Sequence, residues 1–229
     1  MVKTNFRLHD YGRGILCLTN PFLEELAYGL LRPSESYGNP KWKNRGSFTH
    51  EQFLRSFDKS ITAGICDNFA YEYPGFGFPG EKLKLFYEGV FNPIPHLEGQ
   101  VLSLLKRPTN SGRRKTYIIG AREGDTDTLN HEFSVAFSYL DPDGYGRETS
   151  KIIKAIPADL MAKMREWYIN DGSFLRRAIP NQIVAELVDD DSYLFKEAKI
   201  NRRRAVIQDA QGSVRKLFEA QMRTLDFPK

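Results

Sequence analysis

The sequence predicts an α+β fold that is mostly helical and contains a small β-sheet. Three observations lead to this prediction. Short β-branched and aromatic stretches, near the N-terminus and after residue 116, are typical of strands. Apolar residues recur at three- and four-residue spacing over most of the remaining chain, which indicates amphipathic helices. The last third of the sequence carries helical patterns alone.

The N-terminal region predicts two strands followed by one helix. The strands lie within residues 5–18, on either side of a turn at residues 11–14. Asn20 is then a candidate helix cap, with Pro21 in the first turn of the helix. Residues 32–47 are rich in Pro, Gly, Ser and Asn, so we expect a mobile surface loop there.

The middle of the chain alternates helical and extended patterns. Thr49 and Gln52 fit a capping box for a helix that reaches about residue 59. Aromatic residues are dense among the glycines and prolines of residues 67–80; pinning this segment to the core is favoured over lining a pocket. Helices are predicted over residues 81–91 and 97–106, and a strand over residues 116–120.

The C-terminal part predicts five helices. The first begins near residues 125–128, where Asp and Thr offer caps, and ends at the Asp-Pro-Asp-Gly turn of residues 141–144. The other four are expected over residues 147–156, 158–170, 181–189 and 202–225.

Length and composition favour one domain. A chain of 229 residues suits a single domain over residues 1–229, with a possible N-terminal subdomain over 1–110 and a helical part over 111–229. Cys17 and Cys66 both lie in apolar surroundings and are interpreted as buried free thiols. Neither a signal peptide nor a membrane-spanning run is recognisable, so a cytoplasmic protein without a membrane partner is expected.

The charge pattern does not demand a polyanionic partner. The formal net charge is only +4. Three basic clusters could contact phosphates: Arg113, Arg114 and Lys115; Arg176 and Arg177; and Arg202, Arg203 and Arg204. A solvated surface is favoured because no aromatic stacking platform accompanies them. A nucleic-acid partner is therefore the least favoured hypothesis. The sequence also lacks a P-loop, a dinucleotide-binding glycine motif and a G-x-S-x-G nucleophile.

The most informative segment is Asn-His-Glu-Phe-Ser-Val-Ala-Phe at residues 130–137. In the H-E-x-x-H motif, two histidines one helical turn apart bind zinc and the glutamate activates water. His131 and Glu132 fit the first two positions, whereas Val135 replaces the second histidine and cannot bind a metal. Both polar residues are expected at the edge of the buried face of their helix.

This segment and its neighbours resemble a group of uncharacterised bacterial and viral zincin-like proteins related to the HExxH metallopeptidases. The shared features are the strand before the helix, the polar turn, the His-Glu pair and the Tyr-Leu-Asp-Pro ending. The resemblance covers roughly residues 116–188 and implies a zincin-like fold. It also implies a downstream helix that carries an acidic third ligand; Gln182 occupies that position here, so two ligands are replaced.

The preferred hypothesis is a degenerate zincin-like protein that lacks a complete zinc site. Its cleft, at Val135 and Gln182, would bind a peptide or a small molecule beside His131 and Glu132. These two residues are candidates for an acid–base pair, and whether the protein is an enzyme stays open.

A metal-dependent enzyme with a rearranged ligand set is the alternative. His131, Glu186 and another carboxylate, such as Asp125 or Asp127, would form the site. Zinc, iron or manganese is then the candidate cofactor, and ligand hardness favours the last two. The oligomeric state is left open.

Overall fold

A computed structural model of the chain describes residues 5–43, 46–57, 74–109, 115–171, 176, 178–189, 194–195 and 205–227. It confirms a helical α+β protein with one small mixed sheet. The contacts divide the chain into two compact units, the first ending at Leu129 and the second running from Asn130 to Phe227. The sequence had placed a possible boundary near residue 110.

A four-stranded sheet lies in the first unit. Its strands are β1 (Arg7–Asp10), β2 (Ile15–Asn20), β3 (Gly75–Pro79) and β4 (Tyr117–Arg122), in the order β1-β2-β4-β3. β2 is parallel to β4, and the two outer pairs are antiparallel. All of β2 and most of β4 are buried, which explains why both central strands consist of apolar runs rather than alternating residues.

The first helix, α1 (Leu23–Gly38), is longer than predicted. The expected loop is wrong over residues 32–43, because α1 continues to Gly38 and a short helix, α2 (Pro40–Lys43), follows. Arg32 and Glu35 are buried, so tertiary contacts hold the chain helical in spite of Pro33. The side chain of Leu30 approaches β4 so closely that a Cβ on Gly120 would lie 2.2 Å from its Cδ1.

The predicted capping box is confirmed at the start of α3 (His50–Phe57). The amide of Gln52 donates to Thr49 Oγ1 at 3.0 Å, and the amide of Thr49 donates to Gln52 Oε1 at 2.9 Å. These two bonds satisfy amides that the first helical turn leaves without partners.

The described part of the aromatic segment, residues 74–80, contributes to the core, as the sequence analysis favours. Phe76 and Phe78 are buried on β3, a strand that the glycine- and proline-rich sequence did not reveal. Residues 67–73 lie outside the described residues. The helix predicted over residues 81–91 is a 3₁₀ turn (Gly80–Leu83) followed by the short α4 (Lys84–Tyr87), whereas α5 (His96–Thr109) is a long helix, as predicted.

The second unit is helical, and its predicted helices are confirmed with small shifts at their ends. They are α6 (Thr126–Leu140), α7 (Arg147–Ala155), α8 (Ala158–Asp171), α9 (Ile179–Val188) and α10 (Ala205–Met222). A π-helical turn (Pro142–Gly146) joins α6 to α7. Asp141 holds this turn by accepting hydrogen bonds from the amides of Gly144 and Tyr145 and from Gln221 Nε2.

Two further sequence predictions concern the thiols and the membrane. Cys17 is free and buried, as predicted, and Cys66 lies outside the described residues. Among the helices within the described ranges, none has the length and apolar character needed to cross a bilayer.

Candidate functional site

Helix α6 presents His131 and Glu132 at the edge of its buried face. The helix starts after Asp125, whose carboxylate accepts hydrogen bonds from the amide and the hydroxyl of Thr128 at 3.1 and 3.0 Å. Phe133, on the next position, is buried. The His131 side chain is 25% exposed and therefore remains accessible from solvent.

Two helices that are far apart in sequence bring His131 and Gln182 together. His131 Nε2 lies 3.0 Å from Gln182 Oε1, a hydrogen-bond distance across 51 positions of the chain. With the imidazole proton on Nε2, the ring donates and the amide oxygen accepts. The residue that the resemblance assigns to the third-ligand position thus contacts the residue assigned to the first.

Glu186 lies on the other side of the same imidazole. Its Oε1 is 3.9 Å from His131 Nδ1, which is close enough for electrostatic attraction when the ring is protonated. The Tyr168 hydroxyl donates to the same Oε1 at 3.2 Å. Three helices, α6, α8 and α9, therefore place an amide, an imidazole, a carboxylate and a phenol in one row.

Tyr168 is the site residue that sequence analysis did not single out. It is 2% exposed and sits in an amphipathic helix, where an aromatic residue normally belongs to the core. Nothing in the local sequence relates α8 to α9, so only the three-dimensional contact reveals that its hydroxyl reaches Glu186.

Glu132 is the most strongly perturbed acid of the site. Burial raises the pKa of its carboxyl from 4.5 to about 7, while the neighbouring His131 acts in the opposite direction. Within the described part of the chain, no hydrogen-bond donor reaches this carboxyl. Near neutral pH the group is therefore divided between a protonated form, which donates a hydrogen bond, and an ionised form, which only accepts.

This raised pKa predicts a pH-dependent cost in stability. Between about pH 4.5 and 7 the folded protein retains a proton on Glu132 that the unfolded chain has lost, so stability falls as pH rises through this window. Glu132→Gln is expected to be more stable than the native protein at pH 8, by at most about 3 kcal/mol, and this gain should vanish below pH 4.5. Urea unfolding at pH 4 and pH 8 measures the difference. Glu166→Gln, at an exposed position on α8, is the control; an equal effect of Glu132→Gln at both pH values would contradict the prediction.

Each of the remaining predicted site residues has a different location in the chain. Val135 lies one turn beyond His131 and is 8% exposed, so an apolar side chain fills the position of the second histidine. Asp125 is engaged as a helix cap. Over the described residues there is no group of three or more His, Cys, Asp and Glu side chains that could bind a metal ion. The arginine clusters at residues 113–114 and 202–204 lie outside the described residues.

Helix α9, which carries Gln182 and Glu186, is fixed at its C-terminal end by α10. Arg215 Nε donates to the carbonyl oxygen of Val188 at 3.1 Å, and Gln211 Nε2 donates to that of Asp189 at 3.5 Å. A cation at the carboxyl end of a helix is favourable because helix dipoles leave partial negative charge there. The bond to Val188 thus anchors the end of α9 two residues beyond Glu186.

Comparison of the chain with protein-family models, with curated proteins and with solved structures found no match. The chemistry of the site therefore has to be argued from the side chains of α6, α8 and α9.

Proposed function

We propose that the second unit is a degenerate zincin-like module that holds no catalytic zinc and binds a peptide in the site beside His131 and Glu132. The observation that carries the proposal is the 3.0 Å contact between His131 Nε2 and Gln182 Oε1. It joins two residues that the zincin resemblance identifies, independently of any structure, as the first and third ligand positions.

The geometry of zinc coordination supports this assignment. Two ligand atoms on one tetrahedral zinc, each at about 2.1 Å from the metal, lie about 3.4 Å apart. His131 Nε2 and Gln182 Oε1 are 3.0 Å apart, which is slightly closer and within hydrogen-bond range. The two atoms are thus hydrogen-bonded to each other at nearly the separation that two ligands of one zinc ion have.

The nature of the replaced ligands argues against catalytic zinc. Catalytic zinc sites use three protein ligands and keep one position for water. Val135 contributes no donor atom, and the neutral amide of Gln182 replaces a charged carboxylate. His131 is then the one strong ligand left at the three positions of the motif.

The remaining polar groups fit the backbone of a peptide. A peptide unit offers one N–H donor and one C=O acceptor. Glu132, with a pKa of about 7, supplies both an accepting and a donating form near neutrality. Glu186 adds a second acceptor beside His131, and Tyr168 holds it in place.

Metal content and peptide retention together test this function. Full-length protein purified without chelators is expected to contain far less than one zinc per chain. In equilibrium dialysis, it should retain members of a mixture of random tripeptides that are N-acetylated and C-terminally amidated. His131→Ala should weaken retention about tenfold, because it removes the imidazole that contacts Gln182 and lies beside Glu186 in the site.

His96→Ala is the matched control, because it removes an exposed histidine from the other unit. It should leave peptide retention unchanged. Stoichiometric zinc in the native protein would rule out the metal-free function, and unchanged retention in His131→Ala would place the peptide elsewhere.

A rearranged metal site is the second candidate, and the proximity of His131 and Glu186 favours it. The 3.9 Å between Nδ1 and Oε1 would allow one cation to contact both residues after a small movement. Oxygen-rich ligand sets prefer manganese or iron over zinc. Stoichiometric manganese or iron that disappears in His131→Ala would support this candidate over the metal-free one.

A further inference from the structure

A small pocket lies between α8 and the start of α9, within the second unit. Its volume is about 180 Å³, and five residues line it: Arg165, Ile169, Arg176, Ile179 and Pro180. Two arginines and three apolar residues therefore line one opening. This combination fits a ligand that carries a negative charge next to an apolar group.

Both arginines are available to a ligand. Arg165 and Arg176 are exposed, and no ion pair or hydrogen bond to either guanidinium occurs in the part of the chain that the structure describes. The amides of Asn181 and Gln182 already donate to the carbonyl oxygen of Ala178. The positive charge at this opening thus comes from the guanidinium groups, whose planar donors match a carboxylate.

The size of the pocket limits its occupant. Sites for whole small-molecule ligands are usually about 300 Å³ or more, so 180 Å³ suits one side chain rather than a complete ligand. Ile169 is 45% exposed although it is large and apolar, and it forms one wall. A long acyl chain exceeds this volume, whereas one branched side chain fits it.

We propose that this pocket binds the C-terminal residue of a peptide, with Arg165 and Arg176 on its carboxylate and an apolar last side chain against Ile169, Ile179 and Pro180. The inference rests on the proposed function, because it takes the peptide to be the ligand of the neighbouring site. Tyr168 and Gln182 each lie three residues along their helices from a pocket residue, a rise of about 4.5 Å. The pocket therefore lies about one helical turn along α8 and α9 from two of the residues that surround His131.

The test compares two forms of one probe. A mixture of N-acetylated tripeptides ending in leucine, with the two preceding positions randomised, is prepared as the free acid and as the C-terminal amide. Retention by the full-length protein is measured by equilibrium dialysis. We expect the acid to be retained at least about tenfold more strongly than the amide.

The double variant Arg165→Gln with Arg176→Gln should reduce this preference to less than about twofold. Lys154→Gln with Lys163→Gln removes the same charge from exposed positions of the same unit and should leave the preference intact. Equal retention of acid and amide by the native protein would overturn the pocket assignment while the proposed peptide binding stands. A preference that persists in the arginine variant would overturn it as well. If neither form is retained, peptide binding itself fails, and the pocket assignment fails with it.

Discussion

The double variant Val135→His with Gln182→Glu is expected to bind one zinc ion per chain. His131 and a histidine at position 135 are one turn apart on α6, so both imidazoles face the same side of the helix. A carboxylate at position 182 replaces an amide oxygen that lies 3.0 Å from His131 Nε2. The three side chains then supply the His, His and Glu ligands of a zincin, and Glu132 stands beside them as the water-activating residue.

The expected gain in affinity is large. The native protein offers one imidazole at these three positions, whereas the variant offers three ligands and an open position for water. We expect at least about a 1,000-fold gain in zinc affinity, which corresponds to about 4 kcal/mol. Zinc should also raise the thermal unfolding temperature of the variant and leave that of the native protein unchanged, because only the variant's folded state binds the ion.

Matched variants distinguish the effect of zinc ligands from the effect of changed packing at position 135. Val135→Asn with Gln182→Glu places a polar group of similar size at position 135 but no good zinc ligand, and it should gain little affinity. Each single substitution should lie between the native protein and the double variant. Isothermal titration with zinc chloride and metal analysis after dialysis provide the measurement. A double variant that is folded by circular dichroism and still binds no zinc would contradict the zincin-like assignment.

Local signals explain which parts of the fold could be predicted. The capping box at Thr49 and Gln52 acts within one helical turn, so sequence alone locates it. We attribute the extension of α1 past Pro33 instead to Arg32, whose Nε donates to Glu98 Oε1 across 66 positions. Such a tertiary contact overrides local helix propensity, and the residues around Pro33 do not indicate it. β3 escaped prediction for a related reason, since pairing with β4 holds a glycine-rich segment extended.

The candidate site likewise contains residues that the sequence predicts and one residue that only tertiary contacts reveal. The partial H-E-x-x-H motif indicates His131 and Glu132, the family resemblance indicates Gln182, and helical spacing from Gln182 indicates Glu186. The structure brings three of these side chains together, with the imidazole of His131 between the other two. The role of Tyr168 depends on the packing of α8 against α9, and the spacing of apolar residues in the sequence does not reveal that packing. The raised pKa of Glu132 follows from burial and is equally invisible in the sequence.

Glu98→Ala is expected to cause the largest loss of stability in the first unit. Glu98 and Arg32 are 0% and 1% exposed, and two hydrogen bonds from the guanidinium to the carboxylate join them. The same guanidinium donates to the carbonyl oxygens of Phe48, Phe91 and Pro93 at 2.9, 3.0 and 3.3 Å. Removal of the carboxylate leaves a buried positive charge without its counter-ion, which typically costs about 3–5 kcal/mol.

A double-mutant cycle shows why the cost arises. Arg32→Met with Glu98→Leu removes both charges and keeps apolar volume, so it should be less destabilising than Glu98→Leu alone, which leaves the guanidinium buried without its counter-ion. The single variants Arg32→Met and Glu98→Leu complete the cycle. The Arg32 charge also contributes, after burial, to lowering the pKa of His50 to about 4. The double variant should therefore raise the pKa of His50, which NMR titration of its imidazole can measure.

The exposed pair of Glu51 and Arg55 on α3 provides the control for charge removal. Their side chains are 60% and 62% exposed, so Glu51→Ala should change stability by no more than about 0.5 kcal/mol. Urea unfolding at pH 7 compares all variants. A cost below about 1 kcal/mol for Glu98→Ala, or additive effects of the Arg32 and Glu98 substitutions, would show that the buried pair does not hold α1 against α5. The continuation of α1 through Pro33 would then require another cause.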